Sequence, residues 1–536
     1  MPDQFTQRLE LFSTSASTAT TPAPNPQTLL KGLKRGIEKE SLRITLDGKL
    51  AQTPHPSKLG SALTHPYITT DFSEALMELI TPVSTSITGT LELLDNTHRF
   101  VYTQLDNELL WTSSMPCILE GDEQIPVAVY GSSNVATMKT AYRHGLGNRY
   151  GRLMQTIAGI HYNFSLPEDM WRALQQQDYD KRPLQHYITD SYFDLIRNFR
   201  RFSWLLIYLY GASPAVCKTF LRGRNDHQLE EFGHGTVYMP YGTALRMGNL
   251  GYQSSAQENL KVCYNSIDSY INTLGDAITG SHPDYEKIGI KDGDHYRQLS
   301  TALLQIENEF YSPIRPKRVT DSGETPLSAL SRRGVEYIEV RCIDVNPYLP
   351  LGIDADQIRF LDCFLLFCLF DRSPMCDDDD RCRINSNLKA IVNYGRQPGL
   401  QLQSRSGEYS LQDWGTELLN GIDKIAVLLD AAHGGEEYQR VCREQRQKLS
   451  DPSLTPSAKI LADMRDRDLS FFSFSINQSE QHAKDFMARP LTTDKLAFFQ
   501  QITQQSLLDQ AAVEASDTQS FDDYLAAYYS QYQDLL

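Results

Sequence analysis

Hydrophobic positions along the chain recur with two periods, 3.6 and 2, and the two mark different parts of it. Leu91, Leu94, His98, Val101 and Leu105 fall on one face of a long helix. Phe193, Ile196, Arg200, Ser203 and Ile207 define a second helix, which stops near Gly211 and Pro214. Leu418, Ile422, Ile425 and Leu429 mark a third, ending at Gly434 and Gly435. The C-terminal run FDDYLAAYYSQYQDLL is a fourth, rich in tyrosine. All four read as packing elements.

Three other segments alternate, so residues i and i+2 share a face. In GIEKESLR, Glu38 and Glu40 project together. In GVEYIEVR, Tyr337, Glu339 and Arg341 oppose Ile338, Val340 and Cys342. In GIHYNFSL, His161, Asn163 and Ser165 oppose Ile160, Tyr162, Phe164 and Leu166. A solvated sheet face accounts for any one of these alone. Together they carry paired glutamates where strands disfavour them, and His and Asn where Lys or Glu would serve solubility. In TDFSEALMELITP, Asp71 precedes Glu78 by two helical turns, and the segment reads as a helix capped by Asp71 or Ser73.

If these carboxylates converge, each pair about 4 Å apart repels by roughly 4 kcal/mol at an effective dielectric near 20. Protons or cations must then neutralise the cluster. An oxygen-rich set selects Mg²⁺ or Mn²⁺, which commonly also bind phosphate oxygens. The stretch Gly131–Ser165 sets Lys139, Arg143, Arg149 and Arg152 among Gly131, Gly145, Gly147 and Gly151 and reads as a basic loop able to face an anion. It holds neither a P-loop nor a dinucleotide-binding fingerprint. Arg246, in LRMGNLGYQ, could hold a carboxylate with its guanidinium fork or make a surface ion pair.

Composition narrows the class. The 536 residues are 40% hydrophobic and 22% charged, so the chain is globular rather than disordered. A net charge of −16 argues against a bulk nucleic-acid or anionic-membrane footprint. The longest oily run, Phe360–Phe370, is too short to span a bilayer and contains Asp362. Nine scattered cysteines without a C-x-x-C suit a reducing, cytoplasmic setting. Cys376 and Cys382 flank Asp377–Asp380 in what reads as an exposed acidic turn, with a metal loop or a disulfide as alternatives. Three regions are expected: a flexible leader (1–29) containing a Ser/Thr/Pro/Ala-rich stretch, a main body (30–450) and a helical C-terminal region (451–536).

GIEKESLR, GSALTHPYITTDFSEALMELITP, YGSSN, YRHGLGNRYG, LMQTIAGIHYNFSLP, YLYGASPAVC, LRMGNLGY, YSPIRPKRV and GVEYIEVRCIDVNPY occur in this order from about Leu30 to Asp371. Together they resemble the proteobacterial type of glutamate–cysteine ligase. The resemblance implies an α+β fold like glutamine synthetase: a curved antiparallel sheet forming a funnel, surrounded by helices. It implies ATP-dependent joining of the L-glutamate γ-carboxyl to the amine of L-cysteine through a γ-glutamyl phosphate, the first step of glutathione biosynthesis. It also implies a cytoplasmic monomer using ATP and Mg²⁺, with Mn²⁺ able to substitute.

Matched position by position, the resemblance gives Glu38, Glu40, Asp71, Glu78, His161 and Glu339 to the metals. It gives Arg341 and Asn163 to the nucleotide, with Arg341 and Glu339 in the catalytic roles. Arg246 and Gln155 fall to glutamate, and Tyr142, Tyr252 and Tyr311 to the cysteine pocket. The leader, the Cys376–Cys382 loop and the region after about Ser450 match poorly and receive no function. Three alternatives remain at this stage: a ligase for another small amine, a two-metal hydrolase built on the same carboxylates, and a non-catalytic relative.

Overall fold

A seven-stranded antiparallel sheet positions the polar residues singled out above. It comes from a computed structural model that describes residues 3–13, 26–222, 224, 227–251, 257 and 260–535. In chain order the strands are β1 (Lys34–Thr45), β2 (Ile68–Thr70), β3 (Leu76–Ile80), β4 (Glu108–Leu110), β5 (Ile160–Ser165), β6 (Ala215–Cys217), β7 (Glu230–Gly233), β8 (Thr236–Tyr238), β9 (Lys291–Asp292), β10 (His295–Tyr296), β11 (Ile314–Lys317), β12 (Tyr337–Ile343), β13 (Gln401–Ser404) and β14 (Gly407–Ser410). The large sheet runs β11-β12-β5-β1-β3-β2, with β4 also paired to β1; the remaining strands form three small sheets.

Twelve-residue β1 is the hinge of this arrangement. Along one edge its first half pairs with β5 and its end with β4, and along the other edge its middle pairs with β3. The alternation read in the sequence holds. Ile37, Tyr162, Phe164, Ile338 and Val340 are fully buried on the back of the sheet. That face packs on two long helices, Leu184–Tyr210 and Ala355–Phe370.

Asp362 is the one charge in the second helix's oily stretch, and it has a purpose there. It takes Arg35 in a buried ion pair at 2.6 Å and the Tyr162 hydroxyl at 2.7 Å. A buried charge is tolerated when paired and hydrogen-bonded, and this pair ties β1 and β5 to the helix.

The four expected helices are present as Ile87–Tyr102, Leu184–Tyr210, Leu411–His433 and Phe521–Gln533. Three local expectations are corrected. The segment holding Asp71 and Glu78 is not a helix. Asp71 follows β2, a turn closes where the Ser73 hydroxyl accepts from the Ala75 N–H, and Glu78 lies in β3. The open edge of β1 offers this segment a ladder, Glu40 opposite Glu78, and that pairing overrides local helix propensity.

The basic loop is instead a 17-residue helix, Asn134–Tyr150, capped by Ser133. Its Gly145 is required by close packing, since a Cβ there would lie 2.0 Å from the Gln305 side chain. The Asp377–Asp380 turn is the start of the helix Asp378–Tyr394. Asp377 caps it, and Asp380 is buried against Arg201 at 2.8 Å. Cys376 and Cys382, like the other seven cysteines, are free thiols.

Part of the expected leader is ordered against the body. Gln4–Ser13 is a helix whose Phe12 stacks on Phe370, and its Arg8 pairs with Asp178 at 2.7 Å. The Ser/Thr/Pro-rich residues 14–25 lie outside the described residues. Beyond residue 450, helices Phe471–Met487, Thr493–Ser516 and Phe521–Gln533 pack on the sheet end, on the Ile87–Tyr102 helix and across the polar face. Among the described residues no helix is long and apolar enough to cross a membrane.

Candidate active site

Strand register builds the site. Residues directly opposite on neighbouring antiparallel strands point to the same face. Glu38 faces His161, Glu40 faces Glu78, and Glu339 faces both Asn163 and Arg315. These rows form the floor of a cavity of about 620 Å³. Its wall includes Asp71, from the turn after β2, and Lys139, Tyr142 and Arg143 from the Asn134–Tyr150 helix.

His161 sits at the centre of the carboxylates. Its Nδ1 lies 3.1 Å from Glu38 and 3.8 Å from Glu339, and its Nε2 lies 3.7 Å from Glu40. Arg341 Nη1 is 3.1 Å from Glu339, and Lys317 Nζ is 3.8 Å from the same oxygen.

Charge in this cluster divides by neighbour. Burial raises the Glu78 carboxyl well above its ordinary value, and the charges of Glu38, Asp71 and Glu40 push it further. Glu40 is raised as well, chiefly by burial. Burial would also raise Glu339, but Arg341, Lys317, His161 and Arg315 outweigh it and hold that carboxyl well below the usual range. Burial opposes Glu38 in the same way, and the His161 hydrogen bond carries its net shift downward. Lys139, largely through burial, drops to about 8.

These residues fit a hard divalent cation. One ligand atom from each of Glu38, Glu78 and His161 lies within 4.8 Å of the others. Glu339 Oε2 is buried with no hydrogen-bond partner among the described residues, an acceptor left open. Carboxylate oxygens dominate the donor set, as Mg²⁺ and Mn²⁺ favour.

Arg246 enters from the short helix Leu245–Met247. It is 2% exposed, and its Nη2 donates to the Arg341 carbonyl at 2.9 Å. Gly159 makes room for it, since a Cβ there would sit 2.0 Å from Arg246 Nη2. Gln155 Nε2 donates to the Tyr311 hydroxyl at 3.1 Å, so these two form one unit.

Eleven of the thirteen residues singled out from the sequence line this one cavity: Glu38, Glu40, Asp71, Glu78, Tyr142, Gln155, His161, Arg246, Tyr311, Glu339 and Arg341. Asn163 does not line it; its amide donates to Glu38 at 2.8 Å, which makes it a support for that carboxylate. Tyr252 lies outside the described residues.

Sequence reasoning missed Lys317 and Arg315, whose i, i+2 spacing in PIRPK was hidden by the intervening Pro316. It also missed Tyr524 and Tyr528, on the C-terminal helix read as packing alone, and the segment Thr320–Glu324. Nothing local in those stretches signals a site.

The sequence profile described as glutamate-cysteine ligase matches residues 21–391. The chain belongs to the glutamate–cysteine ligase family. Named glutamate–cysteine ligases from Pseudomonas paraeruginosa and Alcanivorax borkumensis are each 51% identical to it. The first aligns over 98% of both chains, the second over 93% of this chain and 96% of its own.

The crystal structure of the Francisella tularensis glutamate–cysteine ligase in complex with AMP superposes with a TM-score of 0.88 at 36% identity, covering 94% of this chain and 99% of that one. A bifunctional glutathione synthetase from Pasteurella multocida shares the fold. Its TM-score is 0.71 at 24% identity, over 89% of this chain and 57% of that one. The antiparallel sheet flanked by helices is thus the ligase fold expected from the motifs.

Proposed function

We propose that this glutamate–cysteine ligase family member joins the γ-carboxyl of L-glutamate to the amine of L-cysteine, with ATP converted to ADP and phosphate. One observation carries the reading. The carboxylate–histidine cluster, the Arg341–Lys317 cations and buried Arg246 all face one cavity large enough for a small substrate.

A carboxylate is a poor electrophile, so the γ-carboxylate must be activated. One of its oxygens attacks the γ-phosphorus of ATP, and the bond to the ADP oxygen breaks. The cysteine nitrogen then attacks the acyl carbon of γ-glutamyl phosphate, phosphate leaves, and the amine proton is released. Catalysis of this kind is positioning and charge neutralisation.

In this chain Arg341 and Lys317 stand beside Glu339, where they can meet the charge of a transferring phosphoryl group. Arg246, fixed by its bond to the Arg341 carbonyl, offers its guanidinium to an α-carboxylate. Glu38, Glu40, Asp71, Glu78, His161 and Glu339 would hold Mg²⁺ or Mn²⁺, which when bound supplies positive charge to phosphate oxygens. Asn163 keeps Glu38 oriented. Tyr142, with the Gln155–Tyr311 pair, bounds the acceptor side.

The free thiols and the lack of a spanning helix among the described residues fit work in the cytoplasm, and we take the chain to act as a monomer. An acceptor comparison tests the assignment. With ATP, Mg²⁺ and L-glutamate, L-cysteine should give the fastest ADP release and a product with the mass of γ-glutamylcysteine. Faster turnover with another small amine would overturn the acceptor.

A further inference from the structure

The C-terminal helix Phe521–Gln533 forms one wall of the cavity through Tyr524 and Tyr528. It also grips the cavity's rim. Residues 320–324 line the opening, beginning three residues after Lys317, where β11 ends and the ladder no longer holds the backbone. Gln531 bridges this rim from both sides of its amide. Its Nε2 donates to the Gly323 carbonyl at 2.8 Å, and its Oε1 accepts from the Thr325 N–H at 3.0 Å.

One residue on, the Tyr532 hydroxyl bonds buried Glu307, whose other oxygen accepts from the Leu327 N–H at 2.7 Å. The rim is therefore fastened to the C-terminal helix at Gly323, Thr325 and, through Glu307, Leu327. The helix itself is braced on the far side, where its Asp522 pairs with Lys291 at 2.7 Å.

We propose that Gln531 is a positioning residue for the nucleotide: it holds the 320–325 rim in the shape that receives the part of ATP beyond its phosphates. This rests on the functional reading above. The rim leads directly out of the Lys317 side of the cluster, where phosphate charge is met; Lys317 stands opposite Tyr337 at the start of β12, whereas Arg246 sits on the Arg341 carbonyl toward its end. A nucleotide anchored at Lys317 and Arg341 reaches the rim, and glutamate held at Arg246 does not need it.

The fold has other fastenings here. Glu324 is held by Arg333 at 2.6 Å and Arg332 at 2.8 Å, and Thr325 caps the helix Pro326–Arg333. Removing the Gln531 amide should therefore change the rim and leave the fold intact.

The test is Gln531→Ala in the full-length protein. ADP binding with Mg²⁺ is measured by calorimetry, the KM values for ATP and glutamate by turnover, and thermal melting on the same samples. Two net hydrogen bonds of modest strength correspond to an affinity loss of about fivefold. ADP affinity should fall and the ATP KM rise by that factor, with the glutamate KM, kcat and melting temperature unchanged. Unchanged ADP affinity, or an equal rise in both KM values, would overturn the proposal. A wild-type chain that binds ADP but makes no product would defeat the functional reading and leave the Gln531 result standing. Normal turnover with an indifferent Gln531→Ala would do the reverse, and a wild-type chain that binds no ADP would defeat both.

Discussion

Glu339 on β12 and Glu78 on β3 share one sheet face, two strands apart, and have opposite environments. Glu339 is surrounded by cations and Glu78 by other carboxylates. The cations hold the Glu339 carboxyl low, and burial with the carboxylates around it raises that of Glu78. Glu339→Gln should lower kcat by about 100-fold or more, because the lost charge acts on the transferring group. Melting should be nearly unchanged, and near-full activity would refute its role. Arg246→Ala should raise the glutamate KM far more than the ATP KM. Gly159→Ala should reproduce that split, since the added methyl would occupy the place of the Arg246 guanidinium. Steady-state kinetics on the two variants checks both, and equal effects on the two substrates would sink the assignment.

At the scale of elements, the strands were legible and their neighbours less so. Period-two alternation in GIEKESLR, GIHYNFSL and GVEYIEVR marks both faces of β1, β5 and β12 correctly, because one face must be dry. Asp71 and Glu78 reached the cavity by a strand and a turn rather than a helix. The spacing of seven is compatible with either, and only the free edge of β1 decides. Lys139 and Arg143 were seen as cations facing an anion, but the glycines around them suggested a loop. Gly145 and Gly147 instead lie within a helix and Gly151 caps its end, and the helix's Lys139 and Arg143 lie over the Tyr130 ring, at 5.1 and 4.6 Å.

The most exposed test of element docking is the Arg35–Asp362 pair. Asp362→Ala strands a buried guanidinium and should cost about 3–5 kcal/mol in denaturant unfolding. A cost under 1 kcal/mol, of the size typical for surface pairs, would show that the pair does not fasten sheet to helix.

Across the whole molecule, contacts distant in sequence close the structure, which is why the termini were hardest to read. A Tyr-rich C-terminal run gives no local sign that it will line a cavity some 200 residues away in sequence, beside Glu307 and Gly323. Phe12 likewise gives no sign that it will stack on Phe370. Deleting residues 1–13 should lower the melting temperature and leave the KM values unchanged, since that helix packs on the body away from the cavity.

Acid should also loosen the fold. His65 accepts two backbone N–H groups at Nδ1, and burial depresses its pKa to about 4. The unfolded chain takes up this proton near pH 6.5, before the folded one does. Stability present above pH 6.5 is therefore lost as pH falls toward 4, by at most on the order of 3 kcal/mol. His65→Asn should flatten melting temperature against pH in that window.

An ATP-driven condensation of two amino acids in one cavity is tested by ADP release from the purified protein with ATP, Mg²⁺ and L-glutamate, with and without L-cysteine. Release should be sustained only when both amino acids are present, with one γ-glutamylcysteine formed per ADP. Release indifferent to cysteine, or no release at all, would contradict it.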